Sequence, residues 1–204
     1  SYCDNQILMG VKSGLTKAFV INSATRDAIL AKNPEANDIL KPFLNGKDIR
    51  KYRINWDNKY LIYTYHGIDI KKYPAVIEHL KPFKEKLQNR ATKQEWYELQ
   101  QPQYAYLPLF EGQKIIFPDI AKNVRFCLDN NGYFGSNTIY FIPKSDKYLL
   151  GILNSKLGFY CFTHLCAGLE GKNEIYLRFF GQYLERFPIR TINFSDPTDK
   201  NRHD

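Results

Sequence analysis

Between Lys71 and Gln100 the sequence reads KKYPAVIEHLKPFKEKLQNRATKQEWYELQ, and the rest of the chain has to fit around this stretch. On a helical wheel Tyr73, Val76, Ile77, Leu80, Phe83 and Leu87 fall on one arc of roughly 120°, which predicts an amphipathic helix with one face for a core. Pro74 suits a first-turn position, whereas Pro82 removes an amide hydrogen and must kink the helix or divide it. His79, Lys86 and Arg90 line up along one flank of the apolar arc if the helix is continuous. From Lys71 to Lys93 there are seven Lys/Arg against two Glu, which leaves five of the chain's net eight positive charges here. Trp96 and Tyr97 follow directly. Two readings fit: a solvated basic face, or a strip that lies against a polyanion with rings available for stacking.

A chain of 204 residues is one large domain, or one domain with a small second lobe, and buries a core without staples. The 15 Tyr and 14 Phe exceed what packing alone requires, so some rings are expected at the surface with a polar tip. A pI of about 9.2 favours an acidic partner. The four cysteines, Cys3, Cys127, Cys161 and Cys166, form no close pair, which fits reduced thiols in a cytoplasmic protein. No apolar run approaches the ~20 residues of a membrane-spanning helix. The chain opens on Ser1 rather than Met, as expected of a piece of a longer polypeptide.

Short strands are expected at Ala18–Ile21, Tyr60–Tyr65 and Lys114–Pro118, with a turn at Asn45-Gly46. A hairpin is expected from 124–128 through the turn Asp129–Gly132 into a strand reaching Ile142. Beyond it, Ser145 or Asp146 can cap a helix carrying Leu149, Ile152, Leu153, Leu157 and Tyr160. A second amphipathic helical segment is expected over Ile175–Phe187, and residues 193–204 read as a frayed tail. The fold class is therefore α+β. An irregular, twisted β-rich part (about 10–144) precedes a helical hairpin (about 145–188) within one domain of residues 1–192.

A search for catalytic chemistry gives little. Pro118-Asp119 with Glu170-Gly171-Lys172 carries the letters of a metal-dependent nuclease motif. Glu170, however, sits in a glycine-flanked break. Gly10-Val11-Lys12-Ser13-Gly14 precedes a strand instead of following one, the wrong order for a nucleotide-cofactor turn. Asn33-Pro34-Glu35-Ala36 lacks the aromatic that stacks on an extruded base. Cys161, His164 and Cys166 share no helix face with a fourth ligand, so core packing is the simpler reading and no metal site is expected.

Several blocks in register resemble the TaqI-like C-terminal specificity domain, the target-recognition part of N6-adenine DNA methyltransferases and of fused type IIG restriction–modification enzymes. They are Gly10–Leu15 with Ala18–Ile21, Leu40–Leu44 with Gly46–Ile49, Tyr73-Pro74 with His79-Leu80, and Arg90 with Trp96–Leu99. Lys114–Ile116 with Pro118–Ile120, Asn137-Thr138 and Tyr148–Lys156 complete the set. The resemblance implies a non-catalytic reader of double-stranded DNA. S-adenosylmethionine, and Mg²⁺ where a nuclease is fused, would serve covalently linked domains outside it. Related recognition domains also occur in type I and phage-defence systems, and a protein-interaction module with an acidic partner is the reading from another class. Candidate phosphate contacts are Lys12, Lys86, Arg90, Lys93 and Lys114. Candidate base contacts are Arg125, Asn137, Lys172 and Asn173, since Asn suits adenine and Arg or Lys suits guanine. Trp96 and Tyr97 either stack on DNA or pack in the core.

Overall fold

The computed structural model describes residues 6–171 and 174–203; Cys3, Lys172 and Asn173 lie outside them. The fold is α+β, built on two four-stranded sheets and a smaller three-stranded one. In the first sheet Phe134–Gly135, Leu40–Leu44, Lys59–Ile62 and Val20–Asn22 lie side by side, the first pair parallel and the others antiparallel. Asn22 ends its strand and caps the helix Ser23–Lys32, its side chain accepting from the Thr25 amide at 2.9 Å.

The Lys71–Gln100 stretch packs its apolar arc here, but in pieces. Pro74 opens a helix that ends at Leu80, a 3₁₀ turn spans Lys81–Phe83 around Pro82, and a second short helix covers Lys84–Gln88. Val76, Leu80 and Leu87 are buried as expected. The row His79, Lys86, Arg90 does not survive the break. His79 Nε2 sits 3.0 Å from the Ala18 carbonyl oxygen and Arg90 turns inward.

The second sheet runs Leu8–Met9, Ile139–Ile142, Lys114–Pro118, Cys127–Asp129, antiparallel throughout. The hairpin expected across Asp129–Gly132 is not formed, because Lys114–Pro118 lies between its two arms. Every residue of that strand is buried, so it takes a partner on each edge. Asp129 turns the chain away by accepting from the amides of Asn131 at 2.8 Å and Tyr133 at 2.9 Å, which sends Phe134–Gly135 to the first sheet instead. The pleat of this second sheet separates two cores. Ile116, Cys127, Ile139 and Phe141 face the one shared with the first sheet; Ile115, Phe117 and Ile142 face the other.

Asp146 and Ser155 cap the helices Lys147–Leu153 and Lys156–Leu165, which close the second core. The helix expected over Ile175–Phe187 is instead mostly extended. Ile175–Arg178 pairs with Gly168–Glu170 on one side and Ile120–Ala121 on the other, and only Gly181–Leu184 is helical. The run IYLRFF alternates with period two, burying Leu177 and Phe179, and that register outweighs the helical spacing of its larger residues. Residues 193–204, read as frayed, contain a helix at Pro197–His203, where Asp199 pairs with Arg190.

Burial pushes the thiols of Cys127 and Cys166 up to about 11. At pH 8 only about one in a thousand of either is thiolate. Both are expected to resist iodoacetamide in the native chain and to react on unfolding, as peptide mass mapping with and without urea would show. Native labelling at either position would contradict the burial.

Candidate nucleic-acid interface

A cleft of about 450 Å³ opens where the hairpin Ile49–Arg50/Arg53–Ile54 meets the 123–125 loop and the start of the Lys156–Leu165 helix. Arg50, Lys51, Arg125 and Lys156 line it beside Asn123, Ser155 and Phe159, and none of its lining side chains is acidic. Its framework is rigid. Asn154, fully buried, donates to the Phe126 carbonyl at 2.8 Å and accepts from its amide at 3.1 Å, locking the loop to the helix start. Tyr52, in the left-handed region at φ 63°, donates its amide to the Phe126 carbonyl at 3.0 Å and ties the hairpin to the same loop. Arg50 bonds the carbonyls of Lys47 and Ile49, which holds its guanidinium at the hairpin. Lys122 beside the cleft is neutralised by Glu174, whose carboxylate raises the pKa of the ammonium. Among the described residues that line this concave wall, four are cationic and none is acidic. The larger cleft between 144–148 and 190–202 is different, since Asp146 and Asp199 line it together with its cations.

A second polar surface continues the first sheet. The amide of Val11 bonds the carbonyl of Gly135, and Lys12 exchanges both backbone bonds with Gln101 at 3.1 and 2.9 Å. Gly10 makes this approach possible, because a Cβ there would collide with the carbonyl oxygens of Gly135 and Ser136. Lys12, Gln101 and Asn137 are exposed while Val11 points into the core. Lys17, Lys47 and Lys59 line a further shallow cleft with Asn45, though Lys59 is paired to Asp57 at 2.8 Å.

Of the candidate phosphate ligands, Lys12, Lys86 and Lys93 are exposed. Two others are corrected. Lys114 is 1% exposed and forms an ion pair with Asp129 at 2.5 Å inside the protein, also donating to the Phe110 carbonyl, so it cannot reach a phosphate. Arg90 spends all five of its N–H donors on backbone carbonyls: those of Leu87, Ser13, Glu98, Glu95 and Trp96, at 2.8 to 3.2 Å. Trp96 and Tyr97 pack partly buried against the first core, edge to face at 5.7 Å, with Lys84 over the Trp96 ring. Of the candidate base ligands, Arg125 lines the basic cleft and Asn137 is exposed in the turn after Ser136; Lys172 and Asn173 lie outside the described residues. The contributions of Arg50, Lys51 and Lys156 were missed. The run Arg50-Lys51-Tyr52-Arg53, basic and interrupted by one ring, was the available signal.

The nuclease constellation does not assemble. Asp119 aligns with Phe179 and Glu170 with Ile175 on strands two apart, which separates the carboxylates by roughly 15 Å. Burial raises the pKa of Asp119. Among the described residues no group of three His, Cys, Asp or Glu could hold a metal ion.

The chain belongs to the TaqI-like C-terminal specificity domain family, whose model matches residues 41–189. It is 27% identical over 247 residues to the type II methyltransferase M.BanIII of Aneurinibacillus aneurinilyticus, a match covering 99% of this chain and 40% of that protein. It is also 27% identical over 202 residues to the type II methyltransferase M.MjaIV of Methanocaldococcus jannaschii, covering 92% of this chain and 65% of that one. The chain thus spans less than two thirds of either relative's length. Among solved structures, the type IIL restriction–modification enzyme MmeI in complex with DNA superposes with a TM-score of 0.65 at 16% identity, over 95% of this chain and 26% of MmeI. That likeness establishes a shared fold. Among the described residues no helix is long and apolar enough to cross a membrane.

Proposed function

We propose that this chain is the double-stranded DNA target-recognition domain of an adenine-specific DNA methyltransferase or of a fused type IIG restriction–modification enzyme. It works in the cytoplasm, and catalysis belongs to other parts of the parent protein. The observation that carries the reading is the acid-free cleft of Arg50, Lys51, Arg125 and Lys156 in a chain of this family. In this reading the cleft cations grip phosphates and the neighbouring exposed amides inspect bases. S-adenosylmethionine, and Mg²⁺ if a nuclease is attached, act on those other parts.

Binding to duplex DNA is then expected to weaken steeply with salt, log K falling by about 0.9 per neutralised phosphate. The double variant Arg125→Ala, Lys156→Ala should flatten that slope by about two units without changing the thermal midpoint. A titration by fluorescence anisotropy at four salt concentrations measures it, and an unchanged slope removes the cleft from the interface. DNA cleavage by this chain alone with Mg²⁺, abolished by Asp119→Ala, would replace this reading with a nuclease.

A further inference from the structure

Resting on the specificity-domain reading, we propose that Tyr52 contacts DNA. Its ring packs against a nucleoside of the duplex while Lys51 and Arg53 beside it hold the flanking phosphates. The observation behind this is a conflict between residue and backbone. The chain turns over Lys51-Tyr52 between the paired positions Arg50 and Arg53, and Tyr52 sits at φ 63°. That left-handed region suits glycine, and asparagine next; a bulky side chain there is strained. Three non-glycine residues adopt it among the described residues, Tyr52, Asn58 and Gln103, and of these only Tyr52 is aromatic. The bond from the Tyr52 amide to the Phe126 carbonyl at 3.0 Å holds the conformation, but glycine would make the same bond. The backbone thus accounts for the turn and not for the ring.

Packing does not account for the ring either. Tyr52 is 54% exposed and joins neither hydrophobic cluster. The Lys51 ammonium lies 5.5 Å from its centroid, a cation–π contact that steadies both side chains. Lys51 in turn lines the acid-free cleft with Arg50, Arg125 and Lys156, and Arg53, next in the chain, is exposed. An exposed ring set between cations matches both surface chemistries of a duplex. The cations take phosphates, and the ring covers the apolar face of a sugar or base between them. Strained residues persist at ligand clamps, where the surroundings over-determine them. Here the Arg50–Arg53 pairing, the Phe126 bond and the Arg50 bonds to the Lys47 and Ile49 carbonyls supply that support. The ring is therefore presented without the cost of ordering a loop.

The test is the full chain carrying Tyr52→Gly, in which stability and binding should move in opposite directions. Relief of the left-handed strain is expected to raise the thermal midpoint by about 2–4 °C. Loss of the ring should weaken binding to a mixed-sequence duplex about tenfold. Because the ring carries no charge, that loss should be the same at every salt concentration, so the slope of log K against log salt stays as it is. Tyr52→Phe, which keeps both ring and strain, should bind about tenfold more tightly than Tyr52→Gly and unfold at a lower temperature. A Tyr52→Gly chain that is more stable yet binds as the wild type does overturns the ring contact. So does one that loses stability and affinity together, since the ring would then be a packing residue. A wild-type chain with no salt-dependent affinity for duplex DNA overturns the specificity-domain reading as well.

Discussion

Replacing Arg90 with lysine is expected to destabilise the chain by about 3 kcal/mol or more, and to leave the salt dependence of DNA binding unchanged. Five N–H donors meet five carbonyls from three segments: the end of the Lys84–Gln88 helix, the turn at Ser13, and residues 95–98. Bonds from a charged donor are worth about 1.5–3 kcal/mol each, although they do not add, and the Ser13 and Glu95 carbonyls also accept from the amides of Gln100 and Glu98. Lysine has three donors on a point charge and no planar fork, so it satisfies at most a part of this set. The Arg90 stem also packs against Gly14, where φ is +79° and a Cβ would come within 2.8 Å of it. In urea denaturation the midpoint should fall without a change in slope. A near-normal midpoint with a flattened salt dependence would instead put Arg90 at the DNA.

The second large effect is expected at the buried pair. Asp129→Asn leaves the Lys114 ammonium in the interior without its counter-charge, and breaking such a pair from one side costs about 3–5 kcal/mol. Burial already lowers the pKa of Lys114, while Asp129 opposes that fall. With Asp129 gone the lowering deepens, and the sign of the pH dependence follows. A lysine whose folded pKa lies below its unfolded value leaves the unfolded chain binding more protons, so stability rises with pH. The deficit of Asp129→Asn should therefore shrink between about pH 7 and pH 10, as the folded-state amine gives up its proton. Adding Lys114→Met removes the stranded charge and is expected to recover most of the loss. A deficit that stays constant over this pH range would mean that the ammonium finds water in the variant.

Sequence reasoning reached the α+β class, the division at Pro82 and the capped helix after Asp146 because each rests on a local rule: a missing amide hydrogen, a side-chain cap, an apolar arc. It failed where the deciding contact is remote. Nothing near Lys114 says that Asp129 will meet it fifteen residues later, or that the strand between will be covered on both faces. Arg90 reads as a surface cation until the 95–98 segment folds back over it. The Ile175–Phe187 run fits both periods, and the free edge of Ile120–Ala121 decides for extension. Within the candidate interface, Arg125 and Asn137 were singled out because their side chains suit base edges, whereas Arg50, Lys51 and Lys156 meet Arg125 only through the fold.

The Lys114–Pro118 strand offers its odd-numbered side chains to one hydrophobic cluster and Ile116 to the other, so neither half possesses a complete interior of its own. Exchanging only residues 1–113 with those of a relative would set an inherited wall against foreign neighbours on one side. Recombination that trades recognition properties between such proteins must therefore carry the whole module, or else alter single exposed positions one at a time.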